Sequence, residues 1–318
     1  MPEACLSDAA SLDGERLAAD ARVAKLKLIA AVVTTLVFWS GSYVAITIAA
    51  REFSPGPLSL ARLGSAALIL LFALPLFGGD ALRAPRPRDL AAIVFMALIG
   101  FTVYHFAINS GQRIVPPGVA SLLIAVLPIF AALIARAWLD EKPSARGWLG
   151  IFTAFGGVAL LVTGRNNGFT VDANALLILL SALSGAAYMI FQRRLTQRYS
   201  GFALTIWGLW IGTLSLMPFA PQLAQELTSA SRDAWLSVLY LGAFPTALAY
   251  VTWAYVLKML PAARATSLLY IVPPFTFVLA WFILGERPGP VEIASGLIIL
   301  GGVALVQRAP RRAVRLEG

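Results

Sequence analysis

The stretch TVYHFAINSGQ, residues 102–112, holds the chain's single histidine among neighbours spaced for a helix. Phe101, His105, Asn109 and Gln112 recur at intervals of four, four and three, which puts them on one helical face. An imidazole and two carboxamides can donate and accept hydrogen bonds, and a histidine can exchange a proton near neutral pH. The chemistry on offer is recognition of a polar group or proton exchange, with hydrogen bonding between helices as the plain structural alternative. A second stripe, Thr246, Tyr250 and Trp253, has helical spacing near the other end of the chain.

Aromatic residues accompany both stripes. Trp39, Tyr43, Tyr104, Tyr188 and Tyr270 lie in apolar runs, most of them away from the ends where interfacial rings collect. Such rings can enclose a flat or apolar side chain while hydroxyls and amides orient a polar head; lipid-facing rings are the alternative. With His105, Asn109, Tyr250 and Trp253 they form the predicted substrate-lining set. Pro128, Pro273 and Pro274 interrupt two further runs, where a missing backbone donor bends a helix, and they are candidate gate hinges or static kinks.

What is missing from these runs narrows the chemistry. All sixteen Asp and Glu residues fall in tails, loops or helix ends. No nucleophile–base pair and no metal constellation is visible, so no catalytic residue, metal or cofactor is expected and an enzyme is disfavoured. Cys5 is the only cysteine, which excludes an intramolecular disulfide. Arg62 lies in the second run near its outer end, where its stem is expected to snorkel to the interface. No Lys or Arg is expected at the membrane midplane, which argues against phosphate-bearing substrates.

The elements that must position these groups are membrane helices. With 59% hydrophobic and 13% charged residues and a mean hydropathy of +0.79, the chain has too little polar surface for a soluble globule. Ten apolar runs are long enough to cross a bilayer, at 28–49, 57–77, 90–111, 118–138, 146–164, 173–191, 202–219, 234–256, 265–284 and 290–307. Short connections rich in Pro, Gly and charge separate the first five, among them SPGP, VPPG and DEKPS. Of the 25 Lys and Arg residues, nineteen fall on the side of the N-terminus and six on the other. That bias predicts both termini in the cytoplasm and explains the net charge of +9 without a nucleic-acid partner. The first 27 residues read as a disordered cytoplasmic tail leading into a retained helix rather than a cleaved signal, and 308–318 as a basic cytoplasmic tail.

The chain also repeats itself. LDEKPSARGWLGIFTAFGGVAL at 139–160 aligns without a gap on LGERPGPVEIASGLIILGGVAL at 284–305, an offset of 145. The same offset pairs Pro128 with Pro273, Tyr43 with Tyr188 and His105 with Tyr250. Two halves, 28–164 and 173–307, each hold five runs. Five is odd, so the second half is expected to enter the membrane from the opposite side, giving inverted repeats with a site near the midplane between them. The Gly156–Gly157 and Gly301–Gly302 pairs read as close helix packing, and Glu141 and Glu286 as capping groups at membrane edges.

The Glu-Lys/Arg-Pro signature followed by Gly-Gly-Val-Ala-Leu, closing each half, resembles the EamA domain of the drug/metabolite transporter superfamily. Trp39-Ser40-Gly41-Ser42 and Arg62 are also similar to its first half. The resemblance implies a ten-helix carrier of the bacterial inner membrane, many of whose relatives export amino acids and other small metabolites. The expectation is therefore an all-α membrane protein that exports small zwitterions, neutral or aromatic amino acids foremost, by alternating access. Efflux of cationic or lipophilic drugs is the alternative, weakened by the acid-free interior. The expected partners are a small-molecule substrate and the lipid bilayer, and a monomer would suffice.

Overall fold

The computed structural model describes residues 3–76, 84–138, 143–164, 172–260, 265–266 and 268–308, with the backbone alone at 3–21 and Arg193. Glu141 lies outside the described residues. The described chain is helical, with no strand among those residues.

The first helix, α1, runs from Glu3 to Ala49, so residues 3–27 continue the helix and are not the disordered tail expected from their polarity. Their Ala, Leu, Glu, Arg and Lys content favours helix strongly enough to outweigh Gly14. Then come α2 (Pro55–Ala73), α3 (Pro87–Ala97), a π-helical segment π1 (Leu98–Val103) and α4 (Tyr104–Gly111). The fourth expected run is broken into α5 (Pro117–Ile124) and α6 (Leu127–Trp138), and α7 spans Ala145–Gly164. In the second half, α8 (Ala173–Leu195) and α9 (Gly201–Ser215) precede α10 (Ala220–Ser229). Next are α11 (Arg232–Leu241), a second π-segment π2 (Gly242–Leu248), α12 (Ala249–Met259), α13 (Val272–Leu284) and α14 (Pro290–Arg308).

Among the described residues eight helices are long and apolar enough to cross a membrane, and nine if Gly201–Ser215 and Met217–Ser229, bent by 46°, form one span. The apolar helix Leu269–Leu284 is shorter. The surface fits that reading, with Phe72 81%, Phe282 74% and Leu297 70% exposed. In water this would be an aggregating surface; in a bilayer it faces lipid.

Helix pairing mixes the two halves. α1 packs on α11, α12 and α13, and α2 packs on π2 and α9. α7 and α14 pair along their lengths. Lipid tails are as apolar as Leu, so this association depends on close packing. A Cβ added at Gly302 would lie 2.5 Å from the Ala154 nitrogen, and one at Gly157 2.9 Å from Ile299 Cγ1. Gly156 and Gly301 have nothing within 4 Å, so one glycine of each pair makes the contact and not both. α13 ends at Gly285, whose φ of 72° is left-handed and whose N–H returns to the Trp281 carbonyl at 3.0 Å.

α10 falls where sequence reading placed a connection. It is amphipathic, laying Leu223 and Leu227 on the α1–α2–α11 cluster, while Glu226 Oε2 accepts the Ser54 N–H at 3.0 Å.

Candidate functional site

The polar face of α4 is buried between the halves: His105 and Asn109 are 0% exposed and Gln112 2%. His105 Nδ1 lies 2.8 Å from the Phe101 carbonyl oxygen, which can only accept. Nδ1 therefore carries the proton, and in the neutral ring Nε2 is an acceptor; it is buried with no partner. Asn109 is oriented by the same logic. The Ser59 hydroxyl donates to the Pro55 carbonyl at 2.6 Å, so toward Asn109 Nδ2, at 2.9 Å, it must accept. Gln112 Nε2 donates to the Tyr43 carbonyl at 3.0 Å. Both amide nitrogens are fixed, and Asn109 Oδ1 and Gln112 Oε1 are left buried and unpartnered. One helix face thus presents three free acceptors.

The backbone around them is unusual. In π1 the Tyr104 N–H bonds back to the Ile99 carbonyl, five residues away. π2 contains Pro245, which lacks an N–H, and the Ala249 N–H bonds back to the Phe244 carbonyl, again five residues away. The Pro245 carbonyl accepts the Trp39 indole N–H at 3.0 Å. π-segments cost regular hydrogen bonding and cluster at functional sites.

Arg62 is where the structure most changes the reading. Its side chain does not snorkel outward: the residue is 5% exposed, and Nε donates to the Thr246 hydroxyl of π2 at 2.8 Å. Nη1 is buried without a partner. Arg62 lies within electrostatic reach of Tyr43, Tyr104, His105, Tyr240 and Tyr250, and among the described residues it has no carboxylate partner. A guanidinium at mid-helix costs about 2.5–3.5 kcal/mol to place in a bilayer. The expectation that Arg62 snorkels to the interface is therefore wrong, and the guanidinium is a buried cation. Its depth comes from tertiary packing against π2, although the spacing Ser59–Arg62–Ser65 already marks a polar stripe on α2.

Aromatic rings wall this cluster. Trp39 meets Tyr250 at 6.0 Å and Trp253 at 5.3 Å between ring centroids; Phe101 meets Tyr250 at 6.0 Å and Tyr188 at 5.5 Å; Tyr104 meets His105 at 5.0 Å. The structure therefore joins Trp39, Tyr104, His105, Tyr188, Tyr250 and Trp253 in one network, with Tyr43 and Asn109 attached through Gln112 and Ser59. Sequence reasoning left Ser59, Phe101 and Arg62 out of the lining. Tyr270 packs against the apolar cluster of α1, α4–α8, α13 and α14 that also holds Tyr43 and Tyr104, with Arg308 as its charged neighbour. Pro128 sits at the start of α6 just after the Ala125–Val126 break, and Pro273 and Pro274 open α13 after a short 3-10 turn. Both are helix breaks at matched positions.

Among the described residues no group of three His, Cys, Asp or Glu could hold a metal. The buried acid Asp89 is remote from the cluster, at the start of α3, bound by Arg198 at 2.6 Å and by the Tyr199 hydroxyl at 2.9 Å.

Apolar crossing helices around an internal polar, aromatic-walled cluster define a multi-pass membrane transport protein. The model of the EamA-like transporter family matches residues 26–163 and again 173–308, and the chain belongs to that family. It is a transporter and not an enzyme. It is 34% identical over 267 residues to the uncharacterized transporter YdfC of Bacillus subtilis, covering 83% of this chain and 86% of that one. It is also 34% identical over 283 residues to a probable terminal-alkyne amino-acid exporter of Streptantibioticus cattleyicolor, covering 89% and 94%. The uncharacterized inner membrane transporter YedA of Escherichia coli K12 is 28% identical over 284 residues, covering 87% and 90%. A solved crystal structure superimposes with a TM-score of 0.60 at 19% identity over 87% of this chain and 95% of that one, a likeness of fold.

Proposed function

We propose that the protein is a secondary transporter exporting small zwitterionic metabolites, neutral and aromatic amino acids foremost, across the bacterial inner membrane by alternating access. The observation that carries this is the buried cluster of unpaired polar atoms walled by Trp39, Tyr188, Tyr250 and Trp253, with no carboxylate beside it among the described residues. The aromatic walls suit a flat or apolar side chain and the polar atoms a charged head. Ten crossings in two inverted halves, both termini in the cytoplasm and a working monomer complete the proposal. Pro128 and the Pro273–Pro274 pair are its hinges, and the relative named as an amino-acid exporter supports the substrate class.

The test is flux into liposomes carrying the purified protein, with a panel of amino acids and one cationic dye, with and without a pH gradient. Saturable, gradient-independent uptake of Phe, Trp, Met or Thr is expected. Dye movement driven only by the proton gradient would instead mark a drug carrier.

A further inference from the structure

We propose that Arg62 is the carboxylate anchor of this site, and that His105 Nε2, Asn109 Oδ1 and Gln112 Oε1 receive the substrate's ammonium group. The inference rests on the amino-acid reading above and sharpens it: the substrate must carry both charges, and molecules with either charge alone are rejected.

The unpaired atoms carry the argument. Of the buried side-chain atoms without a partner, four belong to this cluster, and they divide by chemistry into one donor, Arg62 Nη1, and three acceptors. Packing defects would not sort in that way. The orientation of each acceptor is forced by its sister atom, since Phe101, Ser59 and Tyr43 supply oxygens that can only accept at those contacts. Arg62 is also a neighbour of Asn109 and His105. Ser59, which holds Asn109, precedes Arg62 by three residues on α2, and such residues are surface neighbours about 5–6 Å apart. His105 is one turn from Asn109 on α4 and within electrostatic reach of Arg62.

The geometry of Arg62 suits a carboxylate. Thr246 occupies Nε and leaves Nη1 unpartnered, a charged N–H donor of the kind that binds carboxylates. Unpaired acceptor atoms are in turn what a primary ammonium with three N–H donors requires. A zwitterion also leaves the charge of the site unchanged on loading, whereas an amine alone would add a second cation beside Arg62.

The experiment is counterflow of labelled L-phenylalanine in proteoliposomes, competed by unlabelled L-phenylalanine, phenethylamine or 3-phenylpropionate. Competition by L-phenylalanine alone is expected, with each singly charged analogue about 10- to 100-fold weaker, the worth of a lost charge-assisted hydrogen bond. Arg62→Gln should weaken L-phenylalanine by a similar factor, while Arg62→Lys retains part of it. The competition arm uses the unaltered protein, so it decides even where a variant fails to fold. Counterflow that phenethylamine inhibits as well as L-phenylalanine, or that survives Arg62→Gln unchanged, overturns the anchor and leaves the amino-acid carrier standing. Absence of flux for every amino acid in the panel removes both.

Discussion

Carried forward by 145 residues, π1 falls on 243–248, inside π2, while His105 falls on Tyr250, Asn109 on Ala254 and Gln112 on Leu257. The third and eighth spans therefore share a backbone irregularity and differ in side-chain chemistry. At these three positions the first keeps hydrogen-bonding groups, and the second aromatic and apolar ones. Arg62 likewise falls on Trp207, which packs beside α3. Under the alternating access proposed above, two halves that exchange roles would need the same deformable backbone. One substrate has one charged head, and one half suffices to bind it.

The largest effect follows from removing that difference. His105→Ala combined with Asn109→Ala should abolish amino-acid flux, a loss of about 100-fold or more if each lost contact is worth 1.5–3 kcal/mol, with the protein still extracted in normal amount. Tyr250→Phe, at the equivalent of His105, removes only a hydroxyl from an aromatic wall and should change the apparent affinity by less than about 10-fold. Equal loss in the two variants would mean that the site is symmetric and would sink the division proposed above.

Glycines set the next comparison, at the two π-segments. A Cβ at Gly100 would enter the Tyr188 ring, meeting its Cγ and its Cβ at 2.6 and 2.8 Å, and the Cβ cannot swing away. At Gly242 the obstacle is the Ser65 hydroxyl, which can rotate, with Ser65 Cβ at 2.9 Å behind it. Gly100→Ala is expected to destabilise by about 1–3 kcal/mol and Gly242→Ala by less, read as melting temperature in detergent. The reverse order would show that π2, not π1, is the more tightly packed segment.

Trp39 offers a smaller change. Trp39→Phe keeps a ring against Tyr250 and Trp253 but removes the N–H that holds the Pro245 carbonyl, and about 0.5–1.5 kcal/mol of stability should go with it. An unchanged melting temperature would show that π2 does not depend on this bond.

The apolar, helical character of the chain and its proline breaks were legible because hydrophobicity and proline act locally: Pro128 and Pro273–Pro274 mark breaks whatever surrounds them. The polar face of α4 was legible from its spacing for the same reason. Arg62 was not, since a guanidinium two turns into a helix can turn either way and only Thr246, 184 positions later, turns it inward. The π-segments were hidden too, because an extra residue per turn leaves no mark in hydrophobic periodicity. The short α10 was missed because its apolar face becomes visible only against α1, α2 and α11.

The ends of the two spans differ as well. The N-cap of α3, Arg86, gives its N–H to the Tyr199 hydroxyl at 2.8 Å; at the equivalent N-cap of α11, Ser231 gives its N–H to Glu52 Oε2 at 2.6 Å and its hydroxyl to Oε1. Those two hydrogen bonds hold the Glu52 carboxyl below its ordinary value. With the folded value depressed, the contribution of Glu52 is fully present above the ordinary carboxylate range. It is lost as pH falls through the folded value, where both states become protonated. Acidification from about pH 6 to pH 3 should therefore lower the melting temperature of the native protein slightly more than that of Glu52→Gln, which has no carboxyl to protonate and can still accept one hydrogen bond. The carboxylate is solvent-exposed, so this is the smallest effect of the series. Parallel curves for the two proteins would show that α11, like α3, is capped without help from ionisation of Glu52.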